Sequence, residues 1–79
     1  MTKEELERQG YFNVVTLPNG ELAALFRFIF TVAIITEMND YGYNKRWCYE
    51  ELVDAQQNLL DMASGKITEP VGWKRKTHV

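Results

Sequence analysis

The sequence predicts an α+β domain in which one helix packs across a three-stranded antiparallel sheet. Three features of the chain indicate this fold: a β-branched and aromatic run at residues 22–35, turn signals on either side of it, and helical periodicity at residues 50–64. With 79 residues, 46% of them hydrophobic, the chain can form one small domain with a packed core. We expect a single domain, 1–79, made of an N-terminal turn (1–10), a β-meander (11–49), a helix (50–64) and a tail (65–79).

The first elements are set by a helix cap and a tight turn. Thr2 to Glu5 fit a capping box, and Gly10 can end the short helical turn that this box begins. A strand then leads to Pro18-Asn19-Gly20, where Asn19 and Gly20 tolerate the positive φ of a two-residue hairpin turn. That turn would place Leu17 opposite Leu22.

The run at residues 22–35 is interpreted as one central strand. Its even positions form an unbroken apolar row: Leu22, Ala24, Phe26, Phe28, Phe30, Val32 and Ile34. After a second turn at residues 39–42, a third strand would place its odd positions beside this row: Tyr43, Lys45, Trp47 and Tyr49. We therefore expect an aromatic core face in which Phe28 and Trp47 are almost fully buried.

Residues 50–64 predict a helix that covers this aromatic face. The apolar half of its wheel comprises Leu52, Val53, Ala55, Leu59, Leu60, Met62 and Ala63. Gly65 is a suitable C-terminal stop. The extended tail that follows ends in a basic segment.

No arrangement of side chains in the sequence predicts catalysis. The single cysteine, Cys48, and the single histidine, His78, cannot build a structural zinc site or a nucleophile–base pair fixed in a core. We expect neither enzymatic activity nor a cofactor or metal. Residues 1–10 are too charged for a signal peptide, and the apolar run of residues 22–35 is too short for a membrane span. These features predict a cytoplasmic protein without a membrane partner.

Nucleic-acid binding is the alternative function that the sequence suggests. Basic and aromatic residues are interleaved in two places: Lys45 and Arg46 precede Trp47, and Trp73 precedes Lys74, Arg75 and Lys76. Bases stacked on aromatic rings beside a basic track are typical of single-strand binding. The net charge of −2 and the expected burial of Trp47 favour packing and a solvated basic tail instead.

The second face of the predicted sheet indicates a binding surface. One helix covers one face of three strands, and the other would carry several apolar residues with two arginines. We hypothesise that a partner covers it and contacts Leu25, Arg27, Ile29, Ile35 and Arg46. The partner would be another protein or a second copy in a homodimer. The alternative is that the N-terminal turn or the tail, through Trp73, folds back over this face.

Three segments resemble those of a known group of proteins. Residues 42–49 (GYNKRWCY), the helix with Ala55 and Leu59, and residues 69–73 (EPVGW) are similar to short uncharacterised proteins encoded by bacteriophages and prophages. The resemblance implies a small accessory protein of a mobile element. Such a protein would be a non-enzymatic inhibitor that binds a host or defence protein in the host cytoplasm.

Overall fold

The computed structural model describes residues 2–73, and the sheet within them has four strands instead of three. The elements are α1 (Lys3–Arg8), β1 (Phe12–Thr16), β2 (Leu22–Arg27), β3 (Val32–Asn39), β4 (Gly42–Tyr49) and α2 (Leu52–Ala63). The strands form one antiparallel meander in the order β1-β2-β3-β4. The α+β class, the meander and the helix in the C-terminal half are confirmed, whereas the predicted number of strands is wrong.

The additional strand arises because the run at residues 22–35 folds back on itself. Arg27 pairs with Val32, and the Phe28 amide donates to the Thr31 carbonyl over 2.8 Å, which closes a turn at residues 28–31. A single strand of fourteen residues would extend about 46 Å, while the longest dimension of the protein is 33 Å. Folding back instead lets β2 and β3 pair with each other in the middle of the sheet.

The first hairpin turn has three residues, Pro18–Gly20, instead of the predicted two. The Leu17 amide donates to the Glu21 carbonyl over 2.8 Å, and Gly20 adopts a φ of +88°. Thr16 therefore pairs with Leu22. A shift of one residue moves every side chain of a strand to the other face. In β1, Val15 therefore lies beside Ala23 instead of Ala24. The predicted even row is wrong for β2 for another reason: Arg27 pairs with Val32, so the odd positions of β2 share the α2 face with the even positions of β3.

The core between the sheet and α2 combines odd positions of β2 with even positions of β3. Its buried members are Ala23, Leu25, Val32, Ile34, Tyr49, Ala55, Leu59 and Met62. In β4, Trp47 pairs with Ile34 and Tyr49 pairs with Val32, which confirms the prediction that odd positions of this strand lie beside even positions of residues 22–35. Trp47 packs against this core but is only partly buried, and so is Phe28, which leaves β2 at the turn. The expectation that both are almost fully buried is therefore wrong.

Fewer apolar residues of α2 are buried than the helical wheel predicted. Ala55, Leu59 and Met62 are buried, but Val53 and Leu60 are more than half exposed. The buried positions recur every three or four residues, which is the stripe expected for a helix lying across one sheet face. Val53 and Leu60 lie outside this stripe.

The N-terminal helix α1 covers part of the opposite face of the sheet. The predicted capping box forms between Thr2 and Glu5, and it positions α1 so that Leu6 is buried against Val14 and Ala24. Ile35 is completely buried on this face. The interpretation in which the N-terminal turn folds over the sheet therefore holds for part of this face.

The described part of the tail packs on the helix side of the sheet. Ile67 contacts the core, and the Tyr49 hydroxyl donates to the Val71 carbonyl over 2.7 Å. The Val71 amide in turn donates to Asn58 Oδ1 of α2 over 3.0 Å. These two bonds tie the tail to β4 and α2, so residues 65–73 do not cover the second face.

The buried Tyr49 hydroxyl should make stability depend on alkaline pH. Burial, with a smaller contribution from the charge of Asp54, raises the pKa of Tyr49 to about 12 from its usual 10.0. Because the folded state holds this proton more tightly than the unfolded state, the associated stability is complete below pH 10 and is lost as the pH rises towards 12. In chemical denaturation, Tyr49→Phe should lose less stability than the parent over this range. The fully exposed Tyr41 supplies the control, since Tyr41→Phe should follow the parent. Parallel curves for all three proteins would contradict the prediction.

Candidate functional site

Two large apolar side chains stand exposed at the apex of the β2–β3 hairpin. Ile29 is 90% exposed and Phe30 is 88% exposed. They occupy the central positions of the turn at residues 28–31, which we call the hairpin tip. Single exposed apolar residues are common on protein surfaces, but a contiguous apolar patch is characteristic of an interaction site.

The hairpin tip rests on a well-packed base. Val32, the first residue of β3, is almost fully buried in the core beside Tyr49. On the face opposite α2, Phe28 packs against Phe26 with 5.1 Å between ring centroids, and Phe26 packs edge-on against Tyr11 at 5.0 Å. These three partly exposed rings form a continuous aromatic row that leads to the tip.

Two arginines flank the hairpin tip, one on each face of the sheet. The Arg27 guanidinium lies 5.9 Å from the centroid of the Phe12 ring, on the side of α2. The Arg46 guanidinium lies 5.0 Å from the centroid of the Phe28 ring, on the side of the aromatic row, and donates weakly to the Tyr43 hydroxyl over 3.4 Å. Stacking on a ring limits where each guanidinium can move and leaves its edge accessible.

The predicted partner-binding residues do not share one surface. Leu25 and Ile35 are completely buried, on opposite faces of the sheet. Neither can contact a partner without unfolding, because each belongs to the interior of the single domain. Ile29 and Arg27 lie in or next to the hairpin tip, and Arg46 reaches the tip through the ring of Phe28.

The structure describes three of the six residues considered for nucleic-acid binding, and each of the three has a different environment. Lys45 forms an ion pair with Glu37 over 3.1 Å, and the hydrogen bond and charge of Glu37 raise the pKa of Lys45. Arg46 is stacked on Phe28, and Trp73 is 38% exposed at the end of the described tail. Residues 74–76, the basic segment, lie outside the described residues, which carry all 11 acidic side chains of the chain but only six of its 9 basic ones.

Phe30 is the functional candidate that the sequence interpretation missed. It was assigned to the interior of a central strand because the turn contains no Gly, Pro, Asn or Asp. One signal was available: Arg27 and Thr31 are the only polar residues in the run of residues 22–35, and they flank the apolar apex. Polar residues at the two ends of a short apolar segment are consistent with a turn between paired strands.

A shallow groove between α1, β1 and α2 lies beside the exposed Leu60. It has a volume of about 460 Å³ and includes Val14, Asn13, Gln56 and Leu60. Asn13 adopts a φ of +52° at the irregularity in β1, and its side chain accepts a weak 3.4 Å hydrogen bond from Gln56. Polar side chains make up much of this lining, so the groove offers no concentrated apolar surface comparable with the hairpin tip.

Neither a membrane-spanning helix nor a metal site accompanies the hairpin tip in residues 2–73. No helix in this part of the chain is long and apolar enough to cross a membrane. Its His, Cys, Asp and Glu side chains form no group of three that could hold a metal ion. Comparisons with protein-family models, curated proteins and solved structures find no match to this chain.

Proposed function

We propose that this protein is a non-catalytic binding module that attaches to another protein through the hairpin tip. The observation that carries the proposal is the near-complete exposure of Ile29 and Phe30, side by side at the apex of a hairpin. Aromatic and large aliphatic anchors that fill a partner's pocket dominate the energetics of many protein interfaces. The pair at the tip has the chemistry and the protrusion of such an anchor.

The energy available from the tip is sufficient to anchor a complex. Full burial of an Ile or Phe side chain contributes about 1.5–3 kcal/mol each. Part of this gain is offset by the freedom that two proteins lose on association, so contacts around the anchor are also required. The aromatic row and the two flanking arginines supply an amphipathic surface for those contacts.

The hairpin backbone favours binding because the turn already has a fixed conformation and loses little conformational entropy when a partner binds. The tip is closed by the hydrogen bond between Phe28 and Thr31, and the pairs from Arg27 to Val32 onward continue into the core. A binding loop held in one conformation loses less entropy on association than a mobile one. The scaffold of four strands and two helices thus presents a preformed anchor.

The resemblance to phage-encoded proteins supports a particular class of target. A small accessory protein of a mobile element commonly acts on a component of its host. The proposed target is therefore a host or defence protein, and the proposed outcome is inhibition by occlusion of an apolar pocket. The same anchor also allows a second copy as the partner, which the experiment below distinguishes by the mass of the adduct.

Photo-crosslinking in the native host tests the proposal directly. Phe30 is replaced by p-benzoylphenylalanine, which keeps an aromatic group at the apex and reacts only with adjacent C–H bonds. Tyr41 receives the same group as the matched control, since it is a fully exposed aromatic residue at the turn between β3 and β4, on the opposite end of the sheet. We expect a discrete adduct from position 30 that position 41 does not give. The same adducts from both positions, or none from position 30, would refute the proposal.

A further inference from the structure

We infer that the partner receives the hairpin tip in an apolar pocket whose rim carries carboxylates. This inference rests on the proposed function and adds the chemistry of the partner's surface. Its basis is the position of two guanidiniums on opposite faces of the sheet: Arg27, which directly precedes the hairpin tip and stacks on Phe12, and Arg46, which stacks on Phe28 of the tip. An apolar centre with charged groups around it is the usual composition of a specific interface.

The two arginines lack carboxylate partners in the part of the chain that the structure describes. In residues 2–73 the ion pair found is Lys45 with Glu37, and neither Arg27 nor Arg46 approaches a carboxylate within 4.0 Å. Among residues 2–73, the Arg46 guanidinium donates one weak hydrogen bond to the Tyr43 hydroxyl, and the Arg27 guanidinium stacks on the Phe12 ring. Each guanidinium has five N–H donors, so most donors of both arginines remain available to a partner.

The geometry matches carboxylates at the rim of a pocket better than charges at its centre. Arg27 precedes the hairpin tip by one residue, and Arg46 reaches it by stacking on Phe28. When Ile29 and Phe30 enter a pocket, the two guanidiniums approach its edge from opposite faces of the sheet. A guanidinium that loses water without a partner is costly, whereas a carboxylate accepts two parallel N–H bonds from it.

The acidic residues at this end of the sheet argue against an anionic membrane as the surface that receives the tip. Glu51 and Asp54 lie at the start of α2, directly after β4 and near the base of the hairpin tip. A uniform negative surface would repel these carboxylates while attracting the arginines. A protein rim can place carboxylates opposite Arg27 and Arg46 alone.

Mixed-mode chromatography tests the inference without a known partner. The probes are beads that carry phenyl groups with carboxylates, phenyl groups with ammonium groups, or phenyl groups alone. The full chain is compared with Arg27→Gln/Arg46→Gln, with Ile29→Ser/Phe30→Ser, and with Lys3→Gln/Lys66→Gln. The last variant is the matched control, because it removes the same charge from two exposed sites outside the hairpin tip. Circular dichroism confirms that each variant is folded.

We expect the arginine variant to lose retention on phenyl-carboxylate beads by about threefold for each arginine, the size of an exposed ion pair. Its retention on phenyl beads should not change, and the lysine control should lose clearly less on the carboxylate beads. Equal losses for the arginine and lysine variants would show an effect of net charge and overturn the inference, while leaving the proposed function intact. Unchanged retention of the serine variant on phenyl beads would instead count against the proposed function. Flotation of the parent, but not the serine variant, with phosphatidylserine vesicles would assign the tip to a lipid surface and also overturn the inference.

Discussion

Replacing Ile34 by alanine is expected to lower the free energy of unfolding by about 2–5 kcal/mol, whereas Ile29→Ala should stay within about 0.5 kcal/mol of the parent. Ile34 is completely buried at the centre of the sheet, where it pairs with Leu25 and Trp47 and packs beneath α2. Truncating it removes apolar contacts and leaves a cavity. The same truncation at Ile29 removes atoms that are already exposed to solvent, so few contacts are lost and no cavity forms. Urea unfolding followed by circular dichroism measures both changes.

The neighbouring pair Leu59 and Leu60 repeats this comparison within α2. Leu59 is buried and Leu60 is 59% exposed, so Leu59→Ala should destabilise strongly and Leu60→Ala should not. Helix propensity cancels because both changes replace leucine by alanine in the same helix.

Similar destabilisation by Ile29→Ala and Ile34→Ala would mean that the hairpin tip is packed in the folded protein, and the hairpin tip would have to be abandoned as the candidate site.

The double change Ile29→Glu/Phe30→Glu is expected to weaken the affinity for the protein captured at position 30 by about 100-fold or more. Two anchors worth about 1.5–3 kcal/mol each are lost, and each 1.4 kcal/mol corresponds to a factor of ten in the dissociation constant. The glutamates would also face the carboxylates inferred at the rim. Titration calorimetry with the purified captured protein measures this loss.

Stability must be unchanged for the loss of affinity to be informative. Both positions are almost fully exposed, so the double variant should unfold at the same urea concentration as the parent. Tyr41→Glu, which introduces a charge at the turn between β3 and β4, is the control and should bind like the parent. A double variant that is folded and keeps full affinity would exclude the hairpin tip as the anchor.

The parts of the fold that could be predicted have strong local signals. Thr2 and Glu5 form the capping box that their spacing indicated. The faces of β3 and β4 were predicted correctly because a turn of two residues and a turn of four residues both place odd positions of β4 beside even positions of β3, and the observed turn has two residues. Pro18-Asn19-Gly20 located the first turn, but the turn has one residue more than predicted, and within it the Asn19 side chain accepts a hydrogen bond from the Glu21 amide.

The parts that could not be predicted depend on tertiary structure. Local preference favours a strand at residues 28–31, because Phe28, Ile29 and Phe30 all favour extended structure, and the flanking polar residues Arg27 and Thr31 are a weaker signal for a turn. The turn forms because β2 and β3 bury more surface by pairing than one long strand could, and this gain is not encoded in any single residue. The stacking of Arg46 on Phe28 likewise joins residues far apart in sequence. A site at which local preference and final structure disagree is a natural place for function.

The separation between the hairpin tip and the core has an evolutionary consequence. Ile29 and Phe30 are almost fully exposed, so under the proposed function selection on these two positions would act mainly through the target. Variants can therefore follow a changing target without the loss of stability that limits substitutions in a small core. For the same reason the protein is a convenient scaffold for engineering. Other two-residue anchors could be grafted between Phe28 and Thr31, and the retained strands would present each of them in the same backbone conformation.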